Sequence, residues 1–276
     1  MTRTAISPRF AIRIFWSTDD NVGEVTLSEH PPERSTVELA PNWVVWHVST
    51  VDSTNDLLAS EVRLDPSIRR AVLVADHQTA GRGRLGRRWD APPAANLLCS
   101  LALDAGDDPQ RAQHMVALAL LGAARRLVDA ELALKWPNDV IVVDSDGSWR
   151  KVAGMLSVLA SPTTVIVGIG VNLAWAPDGG ARVVGPTGDL PDRWELLRAM
   201  LAEIDVLESS GPDAVFARYR SALDTIGRRV RVELPGDGAV EGRAVDVEPS
   251  GELRIIDACA VTHRIGIGDV VHLRDA

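Results

Sequence analysis

The segment Asp76-His77-Gln78-Thr79-Ala80-Gly81-Arg82-Gly83-Arg84-Leu85-Gly86-Arg87-Arg88-Trp89 decides between two folds. It follows the apolar run Ala71 to Ala75 and contains Gly81-x-Gly83-x-x-Gly86, the glycine spacing of a dinucleotide-binding turn. Such a turn needs a helix that begins among its glycines, so that free backbone N–H groups face a pyrophosphate. Here the chain continues Arg87-Arg88-Trp89-Asp90-Ala91-Pro92-Pro93, which cannot form that helix. The doubly wound parallel fold is therefore disfavoured. What remains is a glycine-interleaved loop with four arginines in seven residues. Glycine lets the backbone approach a ligand closely, and the guanidinium fork matches phosphate and carboxylate oxygens. A solvated basic loop would have the same composition.

Outward from this loop the texture is alternately strand-like and helical. Trp43 to Val48 reads as a strand, and Ser53-Thr54-Asn55-Asp56 offers N-cap chemistry to a short helix through Val62. Leu97 to Leu103 is a compact apolar strand, and Pro109 to Val128 carries apolar residues at helical spacing. The polar turn Asp144-Ser145-Asp146-Gly147 separates Val140 to Val143 from Val152 to Leu159, which predicts a hairpin. Thr164 to Val171 is a further strand; Arg193 to Leu207 and Asp213 to Leu223 read as helices. Beyond Gly227 four or five short alternating strands, separated by Gly, Pro and Asp turns, predict a small β-barrel or sandwich. Residues 1–42, broken by Pro8, Pro31 and Pro32, read as an N-terminal extension with one short strand at Phe10 to Phe15. Residues 43–225 then form the main domain and 226–276 the C-terminal β domain.

The 276 residues are 46% hydrophobic and 24% charged, an ordinary globular balance. A net charge of −9 works against a sequence-independent grip on nucleic acid, so any anion site must be local. Two cysteines, Cys99 and Cys259, are too few for a disulfide scaffold. The longest apolar runs, such as Met115 to Ala124, fall short of the ~20 residues of a membrane span. Met1 to Trp16 lacks the apolar stretch of a signal peptide. The expectation is a soluble protein of the cytoplasm.

Three more segments carry candidate chemistry. In Leu134-Lys135-Trp136-Pro137-Asn138-Asp139, a lysine leaving a strand into a rigid turn suits an ammonium that meets developing negative charge, although a surface lysine and a turn cap read the same way. Lys151-Val152-Ala153-Gly154 and Gly168-Ile169-Gly170-Val171-Asn172 place glycines inside strands, where they mark bulges, close approach of a ligand, or packing alone. Ser53-Thr54-Asn55, taken singly, is a helix cap.

Taken together and in this order, these motifs resemble those of a biotin protein ligase, and the C-terminal strands resemble that family's SH3-like domain. The resemblance implies an α+β fold, with a mixed, mostly antiparallel sheet and helices on one face, of the class II synthetase-like type, followed by a small β-barrel. It implies that biotin is activated with ATP and Mg2+ to biotinyl-5′-AMP, then transferred to a lysine of a biotin carboxyl carrier domain of a biotin-dependent carboxylase. Ser53, Thr54, Asn55 and Gln78 would contact the biotin end. Gly81, Arg82, Gly83 and Arg84 would form the loop closing over the intermediate, with Arg84 at the phosphate and Trp89 on the adenine side. Lys135 would be the principal catalytic group beside Arg84, and Lys151, Gly154 and Asn172 would complete the pocket. Magnesium would ride on the phosphates, with no protein ligand assigned.

The pattern departs from the family at Val158, where a glutamate is usual, so altered fine structure near the site is expected. Family members often form homodimers, which nothing in the sequence tests. Forty proline-broken residues are too few for the DNA-binding domain of some relatives, so no DNA contact is expected. Two further readings stay open: a catalytically weakened biotin-binding homologue, and a lipoate or octanoate ligase. Octanoyl transfer would need a cysteine nucleophile, and Cys99 sits inside the apolar run Leu97 to Leu101.

Overall fold

The computed structural model describes residues 32–235 and 238–272. The strand expected at Phe10 to Phe15 lies outside them. The main sheet has eight strands: β1 (Ser35–Val37), β2 (Val44–Val51), β3 (Ala71–Gln78), β4 (Leu97–Asp104), β5 (Leu132–Lys135), β6 (Asp139–Val143), β7 (Trp149–Ser161) and β8 (Thr164–Val171). Their order is β1-β2-β3-β4-β8-β7-β6-β5. Only β2 and β3 pair in parallel, across the helix α1 (Thr54–Leu64) that joins them, and every other neighbour is antiparallel. The hairpin expected around Asp144 is the β6–β7 pair. Strand β1 was not expected. Three residues between prolines are too short to show a period, and it gains its place as an edge by pairing with β2.

Strands buried on both faces read as continuous apolar runs, and β3 shows why. Val72 and Val74 enter one core, with Val45, Leu101 and Val167. Leu73 and Ala75 enter the other, with Leu58 and Val62 of α1. The first core is covered by α2 (Pro109–Leu127), α3 (Arg193–Glu208) and α4 (Pro212–Ala222). Asp108 caps α2 with Pro109 in its first turn, and Asp192 caps α3 through the amides of Trp194 and Glu195. The helices on one face are thus α2, α3 and α4. Among the described residues, helix α1 alone lies on the opposite face and covers only part of it, which leaves room for a site.

A second sheet holds β9 (Arg229–Glu233), β10 (Ala239–Val247), β11 (Leu253–Ile256), β12 (Thr262–Ile265) and β13 (Asp269–His272), in the order β12-β11-β10-β9-β13. Its alternating Val230, Val232, Ala244, Ile255 and Val270 face inward. Trp136, 1% exposed, fastens this module to the main sheet. Its indole Nε1 donates to the Gly251 carbonyl at 2.8 Å, and its backbone N–H donates to Thr225 Oγ1 at 3.0 Å.

Candidate functional site

The face left open by α1 holds a cavity of about 260 Å³. Its floor is Gly154, Gly168 and Gly170 on β7 and β8. A Cβ at Gly168 would lie 2.3 Å from Asn55 Oδ1, and one at Gly170 2.3 Å from Trp89 Cε2. These side chains therefore lie directly on backbone, and the glycines in the strands are there for close approach.

One end of the cavity is a polar cluster built on the start of α1. Ser53 is its N-cap and accepts from the Asp56 N–H. The N–H and Oγ1 of Thr54 both donate to Gln78 Oε1, at 2.8 and 3.0 Å, and Asn55 Nδ2 donates to the Leu156 carbonyl at 3.0 Å. Ser100 Oγ lies 2.8 Å from Thr54 Oγ1 and 2.7 Å from Asn55 Oδ1. Ser100 was missed by sequence reasoning, and its signal was a fully buried hydroxyl in the middle of an apolar strand.

The other wall is the glycine–arginine loop, which folds back on itself. Trp89 N–H donates to the Gly81 carbonyl at 2.9 Å and Gly83 N–H to the Arg87 carbonyl at 2.7 Å. No α-helix starts among its glycines; Arg84–Gly86 is a single 3₁₀ turn. Gly81 sits at the base of the loop rather than on the cavity wall, and a Cβ there would strike the Trp89 carbonyl at 2.3 Å. Arg82, Gly83, Arg84, Arg87, Arg88 and Trp89 all line the cavity. Arg82 pairs with Asp56 at 3.2 Å, and Arg84 reaches Asn138 Oδ1 at 3.4 Å and the Gly268 carbonyl at 3.3 Å. Burial pulls the Arg84 guanidinium below its ordinary value, and the charges of Asp139 and Asp269 oppose this.

The two lysines separate here. Lys151 lines the cavity, 2.7 Å from Asp139 Oδ1, with Nζ 5.3 Å from the centre of the Trp89 ring. Three residues apart on a regular strand, Lys151 and Gly154 would face opposite sides. A bulge does the reversal: Val140 pairs with Ala153 but Ile141 with Lys151, so Val152 is the extra residue. Lys135, expected as the principal catalytic group, is not on the cavity wall. It is 6% exposed, and its Nζ lies 4.0 Å from the centre of the Trp149 ring. Desolvation lowers its pKa, opposed by Asp139 and Asp269. Asn172 is likewise behind the wall: its Nδ2 donates to the Ala181 carbonyl at 3.0 Å and the Lys151 carbonyl at 3.3 Å, tying down the strand that carries Lys151.

Val158 packs in the α1 core against Ile166 and does not itself line the cavity. Cys99 is fully buried, and burial pushes its thiol up to about 12, which leaves it unsuited to nucleophilic attack. Asp139, Asn138, Arg87 and Asp269 are wall residues to which sequence reasoning gave no role. Asp269, about 180 residues from the loop it meets, had no local signal at all.

The arrangement supplies fixed cations beside a glycine floor, with a polar end suited to a neutral heterocycle and a basic end suited to phosphate oxygens. Comparison with known proteins agrees with that chemistry. The sequence model of the Biotin/lipoate A/B protein ligase family matches residues 48–172, and that of the Biotin protein ligase C terminal domain matches residues 225–273. A biotin--[acetyl-CoA-carboxylase] ligase of Mycobacterium tuberculosis is 38% identical over 242 residues, 82% of this chain and 88% of the relative. One of Paracoccus denitrificans is 38% identical over 194 residues, 65% of this chain and 74% of the relative. Among solved structures, the biotin protein ligase of Aquifex aeolicus in complex with biotin and ATP superposes with a TM-score of 0.67 at 27% identity, over 84% of this chain and 99% of that one.

Proposed function

The chain belongs to the biotin protein ligase family, and from that premise we propose how its own residues perform the reaction. It is an ATP-dependent biotin ligase acting on acetyl-CoA-carboxylase-type acceptors. In the first half-reaction a biotin carboxylate oxygen attacks the α-phosphorus of ATP and pyrophosphate leaves. In the second, the ε-amine of an acceptor lysine attacks the acyl carbon of biotinyl-5′-AMP, AMP leaves, and the amine loses a proton.

The observation that carries the assignment is that Lys151, Arg84 and Arg87 share one cavity with the Ser53–Asn55 and Gln78 cluster. The polar cluster receives the biotin head, whose ureido group matches its donors and acceptors. Lys151 stands where the carboxylate and the α-phosphate meet, and its ammonium stabilises the charge that builds there. Arg84, on the folded loop, retains the adenylate. Trp89, held against Gly154 and Gly170, forms a hydrophobic face for the base. Lys135 acts at a distance, through the turn that carries Asn138 and Asp139. Asn172 and Ser100 hold Lys151's strand and the biotin end in place.

Mg2+ would come with ATP as part of the substrate and supply charge neutralisation at its phosphates. Asp139 and Asp269, the carboxylates nearest the basic end, are already engaged by Lys151 and Arg87 and do not form a hard-cation cage. The acceptor is a carboxyl carrier domain, met in the cytoplasm without DNA or membrane contact.

Biotin-dependent ATP–pyrophosphate exchange with Mg2+, run beside lipoate and octanoate, tests the reading. Exchange with biotin alone is expected. Exchange that prefers either fatty acid, or none with any acid, refutes it.

A further inference from the structure

The cavity is an anion site whose cations already have carboxylate partners in the chain. Arg82 is paired with Asp56, Lys151 with Asp139, and Arg87 with Asp269. Asp269 differs from the other two because it comes from β13 of the C-terminal module, not from the sheet that carries the site. It lines the cavity, pairs with Arg87, and is close enough to Arg84 and Lys135 to favour their charged forms. The carbonyl beside it, that of Gly268, takes a donor of Arg84. One turn of the second module thus presents a carboxylate and a carbonyl to two of the four loop arginines, as a phosphate group would.

The turn is also held rigidly. Asp269 pairs with Glu233 on β9, and three residues on, His272 Nε2 is 3.2 Å from Thr225 Oγ1, the hydroxyl that accepts from Trp136. Trp136 in turn opens the segment that delivers Asn138 and Asp139 to the cavity wall. The module is therefore fastened to the wall and does not rest against the loop by accident.

We propose that Asp269 is an internal stand-in for nucleotide phosphate: together with the neighbouring Gly268 carbonyl, which takes Arg84, it holds Arg87 in the ligand-free chain and yields it when the triphosphate arrives. This rests on the cavity being the nucleotide site. A fixed carboxylate competing with a polyanion for the same donors weakens nucleotide binding, so its role is to set affinity for ATP and to let pyrophosphate leave. Biotin, bound at the far polar end, does not compete with it.

The test is Asp269→Asn in the full chain, assayed by adenylate formation. The KM for ATP is expected to fall about two- to fivefold, with pyrophosphate inhibition strengthened to match and the KM for biotin unchanged. A KM for ATP that is unchanged or raised overturns the proposal, because a carboxylate that only positions the loop would be missed, not escaped. Arg87→Gln separates this from the reading it rests on. A raised KM for ATP in Arg87→Gln with no fall in Asp269→Asn removes the stand-in alone, whereas no change in Arg87→Gln removes the cavity as nucleotide site. If Asp269→Asn fails to fold, amide hydrogen exchange of the unsubstituted chain reads the same event. Exchange at the amides of β13 is expected to quicken when a non-hydrolysable ATP analogue binds, and slower or unchanged exchange refutes release.

Discussion

Replacing Lys151 and Lys135 in turn by methionine separates two lysines that belong to neighbouring motifs. Methionine keeps the aliphatic stem and removes the charge. At Lys151 the loss is electrostatic: an ammonium about 4 Å from a phosphoryl oxygen contributes about 4 kcal/mol at an effective dielectric of 20. Part is spent because Nζ must be shared with Asp139, 2.7 Å away. A net loss of about 3 kcal/mol, near a hundredfold in the rate of adenylate formation, is expected. At Lys135 the ammonium lies over Trp149, off the cavity wall. Removing it forfeits a cation–π contact of about 1 to 2 kcal/mol and relieves the desolvation of a buried charge. The melting temperature should move by a few degrees, and exchange should stay within about tenfold. Both variants are assayed by biotin-dependent ATP–pyrophosphate exchange after a thermal melt confirms folding. Folded Lys135→Met without exchange, beside Lys151→Met with more than a tenth of normal exchange, would refute the assignment and restore Lys135 as the principal group.

Arg84→Gly should release biotinyl-5′-AMP and biotinylate bystander proteins, which a streptavidin blot of added albumin detects; labelling confined to the acceptor would show that the loop does not retain the intermediate. Gly170→Ala should push Trp89 off the floor, because the new methyl lies 2.3 Å from its ring, and should raise the KM for ATP at least about fivefold; an unchanged KM would mean that Trp89 carries no base. His114, stacked 4.0 Å from Tyr219, is held neutral by burial with its pKa pulled down to about 4. The unfolded chain then binds the extra proton between about pH 6.5 and 4, so stability falls as pH drops through that window. Between pH 7.5 and 5 this one group accounts for about 2 kcal/mol, and urea unfolding of His114→Phe should lose that much less; an identical pH slope would contradict the linkage.

Local pattern in the chain determined most of the elements and much of the site. The Pro92-Pro93 pair after the arginines ruled out a helix, and the structure has none there. The capping residue Ser53, the apolar spacing of α2 and the polar turn at Asp144 each act within a few residues, so they are legible without the fold. Ser53 was readable by itself only as a cap; grouping it with Thr54, Asn55 and Gln78 came from the family resemblance, because Gln78 meets Thr54 across 24 residues of chain.

Tertiary structure alone decided which groups face the cavity. Lys135 ends β5 before a turn and Lys151 lies near the start of β7 before Gly154, and neither position by itself tells which ammonium lines the cavity. One extra residue at Val152 turns Lys151 toward the cavity, and the packing of Trp149 against Lys135 keeps the other ammonium off its wall. Val158, conspicuous as a departure in sequence, is packed into the core under α1 and off the cavity wall, which only the fold reveals. Asp269 reaches the loop only because Trp136 and His272 fix a second sheet against the first. Hydrophobic period and capping are short-range properties and are written along the chain. Facing, pairing and charge balance depend on residues brought together from far apart, and exist only once the sheets have packed.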